Sequence, residues 1–68
     1  MLKLTPRERE VLRLLAAGLT YAQMAQALGI SLYTVCTHVK NVYRKLEVHN
    51  APAAVSRAFL TGGAHESG

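Results

Sequence analysis

Apolar residues recur along most of this chain at the three- and four-residue spacing of amphipathic helices, and two similar triplets interrupt the pattern. The triplets are Gly18-Leu19-Thr20 and Gly29-Ile30-Ser31. In each, the glycine can adopt the left-handed conformation that ends a helix, the aliphatic residue packs on the last turn, and the hydroxyl caps the next helix. The pattern therefore predicts helix, tight turn and helix, twice in succession.

A first helix is predicted from Pro6 to about Ala17. Thr5 is a suitable N-cap, Pro6 occupies the first helical position, where its missing N–H costs nothing, and Glu8 completes a capping box. The residues predicted to face the core are Val11, Leu14, Leu15 and, less centrally, Leu12. Those predicted to point outward are Arg7, Arg9 and Arg13.

A short second helix, Tyr21 to Leu28, begins with another capping box formed by Thr20 and Gln23. Its predicted inner face consists of Met24, Ala25 and Leu28. A short helix joined by a tight turn to a longer one is the arrangement of a helix-turn-helix.

The third and longest helix is predicted from Leu32 to about Leu46, with Ser31 as its cap. At about 100° per residue its core stripe spans roughly 60° of arc, and consists of Val35, Val39, Val42 and Leu46. The opposite arc presents Tyr33, Thr37, Lys40 and Arg44, flanked by Cys36 and Asn41, with His38 and Lys45 to one side. This outer arc is the surface predicted to meet a partner.

A fourth helix is predicted from Ala51 to about Phe59, with Asn50 as cap and Pro52 tolerated in the first turn. Its predicted core residues are Ala54, Val55 and Ala58, and its predicted outward residues are Pro52, Ala53 and Ser56. The expected fold is all-α, a bundle of four helices over about 6–17, 21–28, 32–46 and 51–59. The domain is expected over 1–61, followed by a flexible tail over 62–68.

Length and composition restrict the function further. At 68 residues the chain forms one small domain, which buries only roughly 60% of its unfolded surface and has a thin stability margin. The single cysteine, Cys36, allows no intrachain disulfide, and no Cys/His pairing has zinc-ligand spacing. We therefore expect no metal or cofactor. With neither a membrane-length apolar run nor a signal-peptide pattern in the sequence, a cytoplasmic location is expected.

The net charge of +4 favours a polyanionic partner such as nucleic acid, although charge alone does not distinguish this from other small basic domains. Catalysis is not predicted, because the sequence has no paired-carboxylate site, no nucleophile with a base and no glycine-rich phosphate loop.

With these features in place, the chain resembles the DNA-binding domain of the LuxR/FixJ family of bacterial transcription regulators. The resemblance covers about residues 2–60. It is carried by Leu4-Thr5-Pro6-Arg7-Glu8-Arg9-Glu10-Val11-Leu12, Ala17-Gly18, Ala25, Leu28-Gly29-Ile30-Ser31, Thr34-Val35, Thr37-His38-Val39, Asn41 and Arg44-Lys45-Leu46.

The resemblance implies that the third helix enters the DNA major groove and that the fourth helix pairs two copies on inverted half-sites. By position, the implied base contacts are Cys36, Thr37 and Lys40. The implied phosphate contacts are Thr20, Tyr21, Thr34, His38, Asn41 and Arg44, and the candidate dimer contacts are Pro52, Ala53 and Ser56. The implied partners are double-stranded DNA, a second copy, RNA polymerase, and a receiver or ligand-sensing domain preceding this one.

Three positions depart from the family pattern. Cys36 stands where Lys or Arg is frequent, so a guanine contact worth about 1–3 kcal/mol is replaced by a group suited to a thymine methyl. Ala51 replaces a basic residue, which removes about one unit of salt dependence. Glu47 replaces a frequent glycine; in a left-handed conformation it costs roughly 1 kcal/mol.

Other interpretations remain open. The basic side chains Lys40 and Arg44 also suit a solvated helix face, and the outer face of the third or fourth helix suits a protein-interaction module. The related helix-turn-helix of a sigma factor has the same mechanism with a different partner. A thiol at Cys36 close to Lys40 also suggests a redox switch, against the simpler role of a small contact residue.

Overall fold

The computed structural model describes residues 3–58, which form four helices and no strand. These helices are α1 (Pro6–Ala16), α2 (Tyr21–Leu28), α3 (Leu32–Leu46) and α4 (Ala51–Ala58). The predicted all-α, four-helix fold is confirmed. The expected end of α4 at Phe59 and the expected tail over 62–68 lie outside the described residues. Within 3–58, no helix combines the length and apolar character needed to cross a membrane.

The helices begin where the capping residues predict. In α1 the Glu8 N–H donates to Thr5 Oγ1 at 3.1 Å and the Thr5 N–H donates to Glu8 Oε1 at 2.9 Å, which completes the capping box. Thr20 and Gln23 repeat this arrangement at α2. The Ser31 hydroxyl accepts the Thr34 N–H at 3.1 Å, and Asn50 Oδ1 accepts the Ala53 N–H at 2.8 Å. Each cap satisfies a backbone N–H that has no partner within its helix.

The first two helices end at the predicted glycines, but α1 is one residue shorter than expected. Gly18 has φ +88° and Gly29 has φ +67°, both left-handed. Beyond each glycine, an N–H returns to a carbonyl five residues earlier, Leu19 to Leu14 at 3.1 Å and Ile30 to Ala25 at 3.0 Å. Because the closing turn at Gly18 takes Ala17 as its C-cap, α1 ends at Ala16, one residue before its predicted end at about Ala17.

Helix α3 ends in the same way without a glycine. Glu47 has φ +58° and ψ +47°, which is the left-handed conformation whose cost the sequence analysis gives. The Val48 N–H donates to the Tyr43 carbonyl oxygen at 3.0 Å, which closes the turn. Since a side chain in this conformation brings Cβ close to a backbone oxygen, Glu47 is a strained position.

Two adjoining clusters of buried side chains hold the helices together. The first joins α1, α2 and α3 through Val11, Met24, Val35 and Val39, each at most 2% exposed. Around it pack the partly buried side chains of Leu14, Leu15, Leu19, Ala25, Leu28, Ile30 and Tyr43. The aliphatic members of the two glycine triplets, Leu19 and Ile30, thus pack on the core.

The second cluster joins α3 and α4 through Val42, Leu46 and Ala54. The side chains of Leu4, Leu12, Tyr43, Val48 and Ala58 pack against it. Of the three α4 residues expected in the core, Ala54 is fully buried and the partly buried Ala58 packs on the cluster, whereas the partly buried Val55 is not among the side chains packed there. Val55 lies about 100° around the helix from Ala54, away from the centre of the packed face.

Candidate nucleic-acid interface

The outer arc of α3 faces solvent because the opposite side of the helix is locked into the core. Val35, Val39, Val42 and Leu46 are each at most 3% exposed, as their spacing predicts. This stripe determines the rotation of α3 about its own axis. All four residues predicted on the outer arc are exposed in consequence: Tyr33, Thr37, Lys40 and Arg44.

Local hydrogen bonds order part of this arc. The Thr37 hydroxyl donates to the Tyr33 carbonyl oxygen at 3.2 Å, one turn earlier. Arg44 Nη2 donates to Asn41 Oδ1 at 3.3 Å, so the guanidinium retains most of its five donors. Within residues 3–58, Lys40 makes no hydrogen bond or ion pair. Its ammonium group is therefore available to an anionic or carbonyl partner.

The candidate base contacts lie close together on the arc, from Cys36 to Lys40. Thr37 and Lys40 are exposed, and Cys36 is partly buried beside them with a free thiol. The candidate phosphate contacts on α3 lie around this group: Arg44 is exposed, while Thr34, His38 and Asn41 are partly buried at the edges of the arc. The Thr34 hydroxyl shares a hydrogen bond of 2.9 Å with that of Ser31.

The start of α2 supplies the remaining candidate phosphate contacts, Thr20 and Tyr21, both exposed. Burial, together with the neighbouring Tyr21 hydroxyl, raises the pKa of Tyr43 on α3 to about 12. Tyr43 itself packs against both core clusters, so it covers the edge of the core. The start of α2 therefore lies beside the second half of α3, on the side of Tyr43.

The charge distribution favours an anionic partner at this surface. Between Glu10 and Glu47 the chain has no acidic residue, so α2 and α3 carry none. One base is withdrawn from the surface, because Lys45 pairs with the buried Glu8 of α1. Burial alone raises the pKa of Glu8, but hydrogen bonds from Lys45 and Thr5 and the charge of Lys45 outweigh it, so the pKa lies below its ordinary value. This partnership was not foreseen from the sequence, where Glu8 had only its capping role.

The candidate dimer contacts lie elsewhere. Pro52 and Ser56 are exposed on α4 and Ala53 is partly buried. Helix α4 packs against α1 and α3, and the structure does not bring its outward residues together with the start of α2. Within residues 3–58, no group of three or more His, Cys, Asp or Glu side chains is arranged to hold a metal ion.

Comparisons with known proteins agree with this geometry. The family model described as "Bacterial regulatory proteins, luxR family" matches residues 2–58. The chain is 47% identical over 56 residues to the transcriptional activator protein CarR of Pectobacterium carotovorum subsp. carotovorum, a match covering 82% of this chain and 23% of that protein. It is 46% identical over 56 residues to the response regulator protein VraR of Staphylococcus aureus, covering 82% of this chain and 27% of that protein.

The fold is also similar to a solved structure, that of the response regulator ChrA in a heme-sensing two-component system. The TM-score is 0.84 at 42% sequence identity, over 88% of this chain and 30% of that chain. The chain thus spans about a quarter of the length of the curated relatives it matches, with 23% of CarR and 27% of VraR covered. These matches agree with the resemblance stated from the capped start and the two glycine turns.

Proposed function

Because this chain belongs to the luxR family of bacterial regulatory proteins, we propose that it binds double-stranded DNA sequence-specifically as the output domain of a transcription regulator. Members of the family are regulatory proteins and not enzymes, as the sequence predicted. One observation carries the proposal: α3 presents an exposed arc with Lys40 and Arg44, and neither α2 nor α3 contains an acidic residue.

Helix α3 inserts into the major groove, which at about 12 Å wide admits an α-helix. Thr37, Lys40 and Cys36 contact base edges in this proposal. The free ammonium group of Lys40 suits the O6 and N7 acceptors of guanine. The buried stripe of α3 supports the proposal because it fixes the position of the helix backbone, so little backbone ordering remains to be done on binding.

Phosphate contacts position the helix in the groove. In this proposal, α3 contacts the phosphates of one strand through Arg44, Asn41, His38 and Thr34. The start of α2 contacts the backbone through Thr20 and Tyr21. The Thr20 hydroxyl accepts the Gln23 N–H at 3.1 Å and therefore retains its own O–H for a phosphate oxygen. The N-terminus of a helix also favours an anion through its unpaired N–H groups.

In the full-length protein, we propose that a receiver or ligand-sensing domain precedes this one. That domain controls the pairing of two copies through Pro52, Ala53 and Ser56, so that the dimer binds an inverted repeat. Because Pro52, Ala53 and Ser56 have short side chains, we expect their interface to fall below the roughly 1,000 Å² of a stable one, so that DNA itself assists the pairing. RNA polymerase is the proposed downstream partner, in the cytoplasm.

Selection of bound duplexes from a random pool, with two copies of the chain joined as a forced dimer, tests the proposal. We expect an inverted repeat with half-sites about one helical turn apart or closer. Lys40→Ala should weaken binding to the selected site roughly ten- to hundredfold. Arg9→Ala, which removes the same charge from the exposed side of α1, is the matched control and should bind nearly as the native chain does.

Salt dependence separates a duplex from a protein partner. Each phosphate contact adds about 0.9 to the slope of log affinity against log salt concentration, so Arg44→Ala should lower that slope by about one. If no duplex is bound even at low salt while a protein partner is retained, the domain is a protein-interaction module instead.

A further inference from the structure

The first turn of α3 leaves two large apolar side chains in solvent. Tyr33 is 81% exposed and Leu32 is 52% exposed. Single exposed hydrophobic residues are ordinary on protein surfaces, but here both lie at the start of the helix that carries Lys40. Within residues 3–58, the Tyr33 side chain makes no hydrogen bond. The exposed ring of Tyr33 is removed from water only when a partner covers it.

Tyr33 lies in the same arc as the candidate base contacts. At about 100° per residue, Tyr33, Thr37 and Lys40 fall within roughly 60° of one another around α3. The hydrogen bond of 3.2 Å from the Thr37 hydroxyl to the Tyr33 carbonyl links the first two positions directly. At a rise of about 1.5 Å per residue, Lys40 lies roughly 10 Å further along the axis. This distance corresponds to about three base pairs at roughly 3.4 Å each.

The two halves of the arc differ in chemistry. The first half, formed by Tyr33, Cys36 and Thr37, offers a ring, a thiol and a methyl-bearing hydroxyl, and no charge. The second half offers the charged groups of Lys40 and Arg44. Bidentate recognition of guanine is typical of Arg and Lys, whereas apolar side chains contact the C5-methyl group of thymine, which projects into the major groove. The first half therefore suits thymine and the second half suits guanine and phosphate.

We propose that Tyr33 is a specificity-determining residue that contacts the methyl group of a thymine within about three base pairs of the base contacted by Lys40. The inference rests on the proposed function, which supplies the duplex and the groove. Tyr33 enters no set of contacts assigned from the family pattern; its exposure and its place at the head of the arc assign it this role.

The test uses deoxyuridine, which differs from thymidine only in lacking the C5-methyl group of the base. Each thymine of the selected half-site is replaced singly, and duplex affinity is measured for the native chain, Tyr33→Ala and Tyr33→Phe. At one position, the replacement should lower the duplex affinity of the native chain about fourfold, which corresponds to the loss of one buried methyl group. Tyr33→Phe should keep this sensitivity because it keeps the ring. Tyr33→Ala should bind thymine and deoxyuridine duplexes equally at that position.

Leu32→Ala is the matched control. Leu32 is also exposed in the first turn of α3 but lies about 100° from Tyr33 around the helix, so this variant should remain sensitive to deoxyuridine. Circular dichroism verifies that every variant remains helical. One outcome is that Tyr33→Ala and the native chain lose the same affinity at each deoxyuridine replacement while Lys40→Ala still weakens binding. In that case the inference is wrong and the proposed function stands. If the native chain binds no duplex at low salt, both are wrong.

Discussion

The ammonium group of Lys45, near the end of α3, lies 2.7 Å from Oε1 of Glu8 in the first turn of α1. The pair is nearly enclosed, with the Lys45 side chain 15% exposed and that of Glu8 6% exposed. The same carboxylate oxygen accepts the Thr5 N–H at 2.9 Å, and Lys45 also donates to the Lys3 carbonyl oxygen at 3.3 Å. One carboxylate therefore completes the cap of α1 and attaches it to α3.

Lys45→Met should lower the free energy of unfolding by about 3 kcal/mol, because it leaves the Glu8 carboxylate enclosed without its cation. The methionine side chain retains most of the packing of the lysine stem, so the loss reports on charge more than on volume. Urea unfolding followed by circular dichroism measures the change.

The double variant Glu8→Gln with Lys45→Met is the control for this interpretation. Glutamine at position 8 can still accept the Thr5 N–H, as Gln23 does for Thr20 in α2, but it brings no charge to be buried. The double variant should be more stable than Lys45→Met alone. If the two variants unfold at the same urea concentration, the unpaired carboxylate is not the cause of the loss.

Acid should weaken the fold through the same carboxylate. The pKa of Glu8 is lowered from 4.5, since hydrogen bonds from Lys45 and Thr5 and the charge of Lys45 outweigh the effect of burial. The unfolded chain then binds more protons than the folded chain as the pH falls through 4.5. The stabilising contribution of Glu8 is complete above that pH and is lost as the pH falls through the folded-state pKa.

Urea midpoints measured from about pH 7 down to about pH 3 should therefore fall in acid, and Glu8→Gln should make the fall shallower. Glu10→Gln is the matched control. Glu10 lies in the same helix, and its exposed ion pair with Arg7 involves neither Glu8 nor Lys45. Equal acid profiles for the native chain and Glu8→Gln would contradict the prediction.

Most of the fold could be predicted because its determinants are local. Thr5, Thr20 and Ser31 each bond a backbone N–H three residues further on, so caps are recognisable from short spacings. The core stripe of α3 was predictable for the same reason, since helical periodicity alone places Val35 and Val39 on one side.

The rest depends on relations that no local pattern carries. Lys45 and Glu8 are 37 residues apart in sequence, so their pairing follows only from the packing of α3 against α1. The exposure of Lys40 and Arg44 was predictable, and the structure confirms it. Which exposed side chain contacts a base depends on the angle at which α3 enters the groove, a property of the complex rather than of helical periodicity.

Glu47→Gly should stabilise the domain by roughly 1 kcal/mol relative to Glu47→Ala. Glu47 has φ +58°, which glycine adopts without the clash that any Cβ makes. Both variants remove the carboxylate from the C-terminal end of α3, where a negative charge is unfavourable, so their difference isolates the backbone effect. Thermal or urea unfolding measures it; equal stability of the glycine and alanine variants would show that this turn is not strained.

Ser56→Lys should reduce the cooperativity with which two copies fill an inverted repeat by about tenfold. Ser56 is exposed on α4, so lysine is tolerated at this position. In a two-fold interface, the new lysine of one copy lies close to the same lysine of the other copy, and the two charges repel. Affinity for a single half-site should be unchanged or slightly higher, since the added charge is positive. Gel-shift titration of one-site and two-site duplexes separates these quantities.

Ala16→Lys adds the same charge at the exposed end of α1 and should keep full cooperativity; a similar loss in both variants would exclude α4 as the dimer surface.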